Sequence, residues 1–119
     1  TNLDDALAAC AAGADAIGFN FADAAKRRDR YISPAAAERI VPMLPPFVTV
    51  VGVFVNPAPD EVERVLNFID VVQLHGDEPP DFCASIPTRV VKAFRAGPEF
   101  NPAVLDAYEV SAFLFDAAV

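Results

Sequence analysis

Imidazole and thiol are scarce in this chain of 119 residues, which holds one histidine, His75, and two cysteines, Cys10 and Cys83. Two thiols so far apart form neither a disulfide framework nor a metal-ligand spacing. They are expected to be reduced and packed, since free cysteine is among the most often buried residue types. No metal is expected. The sequence also lacks a long apolar run. Its charge-free stretch from Ile40 to Val55 is interrupted by Pro42, Pro45 and Pro46, whereas a membrane span needs about 20 mostly apolar residues. The N-terminus is polar and acidic and does not read as a secretory leader. A cytoplasmic protein without membrane contact is therefore expected. A cationic surplus is absent too: the net charge is −8, which disfavours general nucleic-acid binding. Asn-Gly hairpin signals between strand-like segments, linkers and low-complexity stretches are all missing.

What is present is apolar. Hydrophobic residues make up 54% of the chain and the mean hydropathy is +0.31, above the roughly 45–50% apolar content usual for a globular domain. Either the strands are buried on both faces, as in parallel sheets, or the chain carries apolar surface meant for an absent partner. Against the acidic background stands one basic island. Lys26, Arg27, Arg28 and Arg30 are four of only nine basic residues, a pattern that suits a small anionic ligand or a solvated loop.

Along the chain, helical and strand-like segments alternate. Thr1 reads as an N-cap, with Leu3, Ala6, Leu7 and Cys10 following at helical spacing and Gly13 as the stop. Residues 16–21, "AIGFNF", read as a strand. Ser33-Pro34 opens a helix running to about Leu44. Residues 47–55, "FVTVVGVFV", form the strongest strand pattern. Pro59 opens a helix with Val62, Val65 and Leu66 on one face. "VVQL" (71–74), "RVVKAF" (89–94) and "AFLFDA" (112–117) read as strands, with a helix over about 79–85 and a weaker one around 102–107. This alternation predicts right-handed βαβ crossovers and a parallel sheet of about five strands within a single domain, 1–119. About five strands fit either an open fold or a segment of a barrel, and the apolar excess favours the segment.

In parallel α/β folds, sites gather at the carboxyl ends of the strands. Here those ends carry Asn20 with the basic loop behind it, Asn56, His75, Arg95 and Asp116. Asp116 is the sharpest of them, because it interrupts an apolar run. Asn56 precedes a proline and reads equally well as a turn former, and Arg95 as a solvated or ion-paired arginine.

The segments "TNLDDALAACAAGADAIGFNF", "RYISP", "PPFVTVVGVFVN" and "VQLHGDE", continued by "VVKAF" and "FLFDA", resemble in order and spacing the phosphoribosylanthranilate isomerase family of tryptophan biosynthesis. The resemblance covers essentially the whole chain. It implies a segment of a (β/α)8 barrel and an Amadori rearrangement of N-(5-phosphoribosyl)anthranilate to 1-(2-carboxyphenylamino)-1-deoxyribulose 5-phosphate, without a cofactor. It makes Asp116 the general acid that protonates the ring oxygen. Arg30 becomes the fork for the anthranilate carboxylate, and His75 a residue lining the substrate site. The family's general base is a cysteine in a "KICG" segment of its first strand. Neither that segment nor the late glycine-rich phosphate loops has a counterpart here, and Cys10 and Cys83 both fall inside predicted helices. These 119 residues alone are accordingly expected to be inactive. The competing reading is a non-catalytic barrel fragment or assembly module that associates with itself or with a complementary fragment. "RYISP" and "VQLHGDE" argue against a third reading, the related indoleglycerol phosphate synthase.

Overall fold

The computed structural model describes residues 2–22 and 30–117. Lys26, Arg27 and Arg28 of the basic island lie outside these residues, as does Thr1. The first helix, α1 (Leu3–Ala11), is capped by Asn2 rather than by Thr1: the Asn2 Oδ1 accepts the Asp5 N–H at 2.8 Å. An asparagine carbonyl one residue later serves the same orphan amide as a threonine hydroxyl would. The helix ends where expected, at Gly13, whose φ of +102° favours a residue without a Cβ. Strand β1 (Ala16–Asn20) follows. Helix α2 (Pro34–Ile40) starts at the Ser33 cap, with the Ser33 Oγ accepting the Ala36 N–H at 3.2 Å. It is shorter than its pattern suggests. The chain tightens into a 3₁₀ turn at Val41–Met43, because Pro42 has no N–H to continue the helix.

Strand β2 (Thr49–Phe54) begins later than the apolar run, and Phe47 is 96% exposed. Helix α3 (Pro59–Glu63) is a single turn and a half, with Val65 buried just beyond it. Strand β3 (Val71–Leu74) and helix α4 (Pro80–Ser85) form where the sequence puts them. Strand β4 (Arg89–Ala96) outruns its apolar core by two residues, because Arg95 and Ala96 pair with β5 (Ala112–Ala117). The connection between β4 and β5 holds a 3₁₀ helix, Pro102–Ala107.

All five strands run parallel in the order β1-β2-β3-β4-β5. Doubly wound sheets reverse direction at a switch point; this one never does. Successive right-handed crossovers then put every helix on the same side. The buried residues agree with that: Ala6, Ala37, Ile40, Val62 and Cys83 from the helices join Phe19, Val50, Phe54, Val72, Leu74 and Val90 from the strands in one cluster. The pleat sends alternate residues to the opposite face, so Val53, Gln73, His75, Ala93, Arg95 and Asp116 share the helix-free side. Such an arc is the wall of a (β/α)8 barrel, with the helices outside.

Candidate active site

Three local structures build the carboxyl edge of the sheet, and the first two carry the predicted residues. The first returns the chain to β1. Tyr31 bridges to Asn20, and the Ile32 N–H donates to the Asn20 carbonyl at 3.0 Å. Ile32 is buried, and Ser33 then caps α2. Arg30 is thereby delivered to the end of β1, exposed, in a cavity it shares with Gly18, Asn20, Ile32 and Val53. The side chain of Asn20 itself folds into a local turn, accepting the Ala22 N–H at 3.0 Å.

The second structure joins the ends of β3 and β5. The His75 Nε2 lies 3.4 Å from the Asp116 Oδ2, with the side chains 29% and 55% exposed. His75 also lines a cavity of about 410 Å³ with Val55, Asn56, Ala93 and Arg95, a size within the usual small-molecule range. Arg95 faces Asp116 across the β4–β5 ladder as its register partner. Phe113 and Phe115, close to Asp116 in sequence, do not share its face of the sheet. Instead they pack on the helix side, Phe113 against Phe94 (6.0 Å between ring centres) and Phe115 against Phe100 (5.8 Å). The pleat separates them from Asp116.

The third structure was not found by sequence reasoning. Lys92 and Glu78 form an ion pair at 3.0 Å with side chains only 1% and 2% exposed. The Lys92 Nζ also donates to the carbonyls of Gly76 (2.7 Å) and Ala93 (3.0 Å). The Glu78 carboxylate accepts the N–H groups of Asn56 (2.7 Å) and Gly76 (2.9 Å). The signal was there: Lys92 shares a strand face with Val90 and Phe94, a face that must be buried if the helices cover it.

The two thiols lie on helices, on the side of the sheet opposite Asp116 and His75. Cys83, on α4, is buried as expected, whereas Cys10, on α1, is only half-buried. Burial pushes the Cys83 thiol above its ordinary value of 9.0, with the nearby Lys92 charge offsetting this only in part. Cys10 should therefore react promptly with a thiol reagent in the native protein, and Cys83 only on unfolding; equal rates under native conditions would contradict this packing. Burial likewise raises the Tyr108 phenol above 10.0. Both groups ionise later in the folded state than in the unfolded one. Their stabilisation is therefore complete below pH 9.0 and is lost as the pH rises through the native values. Denaturant midpoints measured across that range should fall with increasing pH. Among the described residues, no group of three or more His, Cys, Asp or Glu side chains could hold a metal ion, and no helix is long and apolar enough to cross a membrane.

A one-directional parallel β/α arc with ionisable side chains collected at the carboxyl ends of its strands defines a barrel-type α/β protein with an enzyme-like site. Within that class, the sequence model of N-(5'-phosphoribosyl)anthranilate isomerase matches residues 1–119, and the chain belongs to that family. It is 50% identical over 119 residues to the N-(5'-phosphoribosyl)anthranilate isomerase of Citrifermentans bemidjiense, covering 98% of this chain and 56% of that protein. The crystal structure of phosphoribosyl anthranilate isomerase from Thermus thermophilus superimposes with a TM-score of 0.87 at 40% identity, over 98% of this chain and 58% of that one. A phosphoribosyl anthranilate isomerase in complex with reduced 1-(o-carboxyphenylamino)-1-deoxyribulose 5-phosphate is similar at a TM-score of 0.82 and 39% identity, over 99% and 61% of the two chains. The chain thus spans a little over half the length of the relatives it matches.

Proposed function

We propose that this chain forms the acid-bearing part of an isomerase that converts N-(5-phosphoribosyl)anthranilate to the open-chain aminoketose phosphate in tryptophan biosynthesis. The observation that carries the reading is Asp116, held at the carboxyl end of β5 against the His75 imidazole. Opening the ribose ring needs a proton delivered to the ring oxygen, and a positioned carboxyl group supplies it. As Asp116 gives up that proton, the developing carboxylate gains the nearby imidazole as a partner. This contact is stronger in the transition state than in the ground state, which is what lowers a barrier. The proton on the adjacent carbon must then leave to a base. Cys10 and Cys83 lie on helices, on the side of the sheet opposite Asp116, so neither serves. The base and the phosphate cradle belong to parts of the family barrel that have no counterpart in these 119 residues, and these residues alone do not complete the reaction. The outer edges of β1 and β5 are where complementary barrel strands, or a second copy, would pair.

Arg30 takes the anthranilate carboxylate. Its planar fork suits a carboxylate in two-point contact, whereas a lysine offers a point charge. In the protein expressed from its complete gene, Arg30→Lys should raise KM roughly 10–100-fold, as expected for one charge-assisted hydrogen bond of about 1.5–3 kcal/mol. Arg27→Gln and Arg28→Gln should alter only the salt dependence of encounter. Equal losses at all three positions would defeat the assignment of Arg30. Failure of the wild-type protein to turn over N-(5-phosphoribosyl)anthranilate would defeat the isomerase reading itself.

A further inference from the structure

We infer that the buried Lys92–Glu78 pair is a positioning device for His75, acting through the backbone of Gly76; the inference rests on the isomerase reading of the Asp116 site. Gly76 follows His75 directly, and both its polar backbone groups are held by the pair. Its N–H donates to the Glu78 carboxylate at 2.9 Å, and its carbonyl accepts from the Lys92 Nζ at 2.7 Å. On the other side, the His75 N–H donates to the Phe54 carbonyl at 2.9 Å. The two peptide units flanking His75 are thus fixed from β2 and by Glu78, and the next unit along is fixed from β4.

Asn56 completes the clamp from the end of β2. It adopts a left-handed φ of +47°, donates its N–H to Glu78 at 2.7 Å, and accepts the Asp77 N–H on its Oδ1 at 2.8 Å. The fit against Gly76 leaves no room for a side chain: a Cβ there would come within 2.7 Å of the Asn56 Cγ and Oδ1. The Tyr108 hydroxyl donates to the Glu78 carbonyl at 2.8 Å. Every proton of the Lys92 ammonium has an acceptor, and the Glu78 carboxylate is bonded at both oxygens. Packing alone does not require this arrangement, since apolar residues of similar volume often replace a buried ion pair at no cost in stability. What an apolar pair cannot do is bind the N–H and the C=O of one residue at once. The residue so bound is the one next to the imidazole that meets Asp116.

Two measurements on the protein expressed from its complete gene test the inference. The first is a double-mutant cycle in kcat. If Lys92 acts through His75, Lys92→Met should lower kcat on the order of 10–100-fold with little change in KM, the penalty of a misplaced group. In a His75→Gln background the same change should cost almost nothing further. Equal losses in both backgrounds would mean that Lys92 is merely structural and would overturn the inference. The second measurement does not depend on turnover. The His75 imidazole resonance, identified by its disappearance in His75→Gln, should move in Lys92→Met. Asn56→Gly keeps the left-handed backbone and removes one acceptor of the clamp, and it should move the same resonance in a protein that folds even if Lys92→Met does not. A His75 signal unchanged in the folded variants would overturn the inference whether or not the protein is an isomerase. An inactive wild type with a displaced His75 signal would instead overturn only the reaction and leave the clamp supported.

Discussion

Asp116→Asn in the protein expressed from its complete gene should lower kcat by roughly 10²–10⁴-fold, the range typical of a lost general acid, while affinity for a product analogue stays nearly constant. The substitution is informative because it changes so little else. Asparagine has the shape of aspartate, and its carbonyl oxygen can still face the His75 Nε2, which lies 3.4 Å from the native carboxylate. What it lacks is a proton to give to the ring oxygen. The side chain of Asp116 is 55% exposed, so stability should change by no more than about 0.5 kcal/mol, as for surface substitutions in general. Asp116→Glu tests geometry rather than chemistry. It keeps the acid and moves it by one methylene, and misplacement on the order of 1 Å can cost about 10²-fold. Near-normal kcat for Asp116→Asn in a folded enzyme would end the assignment and leave His75, Asp77 and Arg95 as the ionisable groups lining the adjoining cavity.

Glu78→Leu should destabilise the fold by about 3–5 kcal/mol, the usual consequence of removing one member of a buried ion pair. That is a large share of the roughly 5–15 kcal/mol by which a domain is stable. The Lys92 ammonium would remain buried with the Gly76 and Ala93 carbonyls as acceptors and the Phe94 ring at 4.8 Å but no counter-charge, and the N–H groups of Asn56 and Gly76 would lose their acceptor. Adding Lys92→Met to this variant should recover only part of the loss, because those two N–H groups stay unpaired. The exposed pair Arg64–Glu38 is the natural control. It is nearly as close, at 3.2 Å, but its side chains are 52% and 46% exposed, so Glu38→Ala should shift stability by no more than about 1 kcal/mol. Urea midpoints at constant slope decide the matter. A Glu78→Leu midpoint close to that of Glu38→Ala would mean that the pair contributes no more than a surface contact does.

The alternation of short apolar runs with capped helical segments was sufficient for the class of fold, because each signal is local. Ser33-Pro34 opens α2, Gly13 ends α1, and the strands 71–74 and 112–117 form at the bounds their apolar pattern sets. Local competition accounts for the differences. Asn2 caps where Thr1 was expected, Pro42 cuts α2 short, and β4 runs on to Ala96 because a partner strand extends beside it. The sequence by itself also placed His75 and Asp116 at strand ends, whereas Arg30, in the segment between β1 and α2, was singled out only by the family resemblance. Only the tertiary structure decided their company. Whether Asp116 faces Phe115 or His75 depends on the register of β5 against β4 and on the side of the sheet that the helices occupy. Both are set by contacts between residues far apart in the chain. The same holds for Lys92. Its charge reads as a solvent-facing residue until the helices close over its face of β4, and the carboxylate that neutralises it comes from the loop after the neighbouring strand. A buried charge can be tolerated only where a partner is delivered to it, and that delivery is a property of the assembled fold.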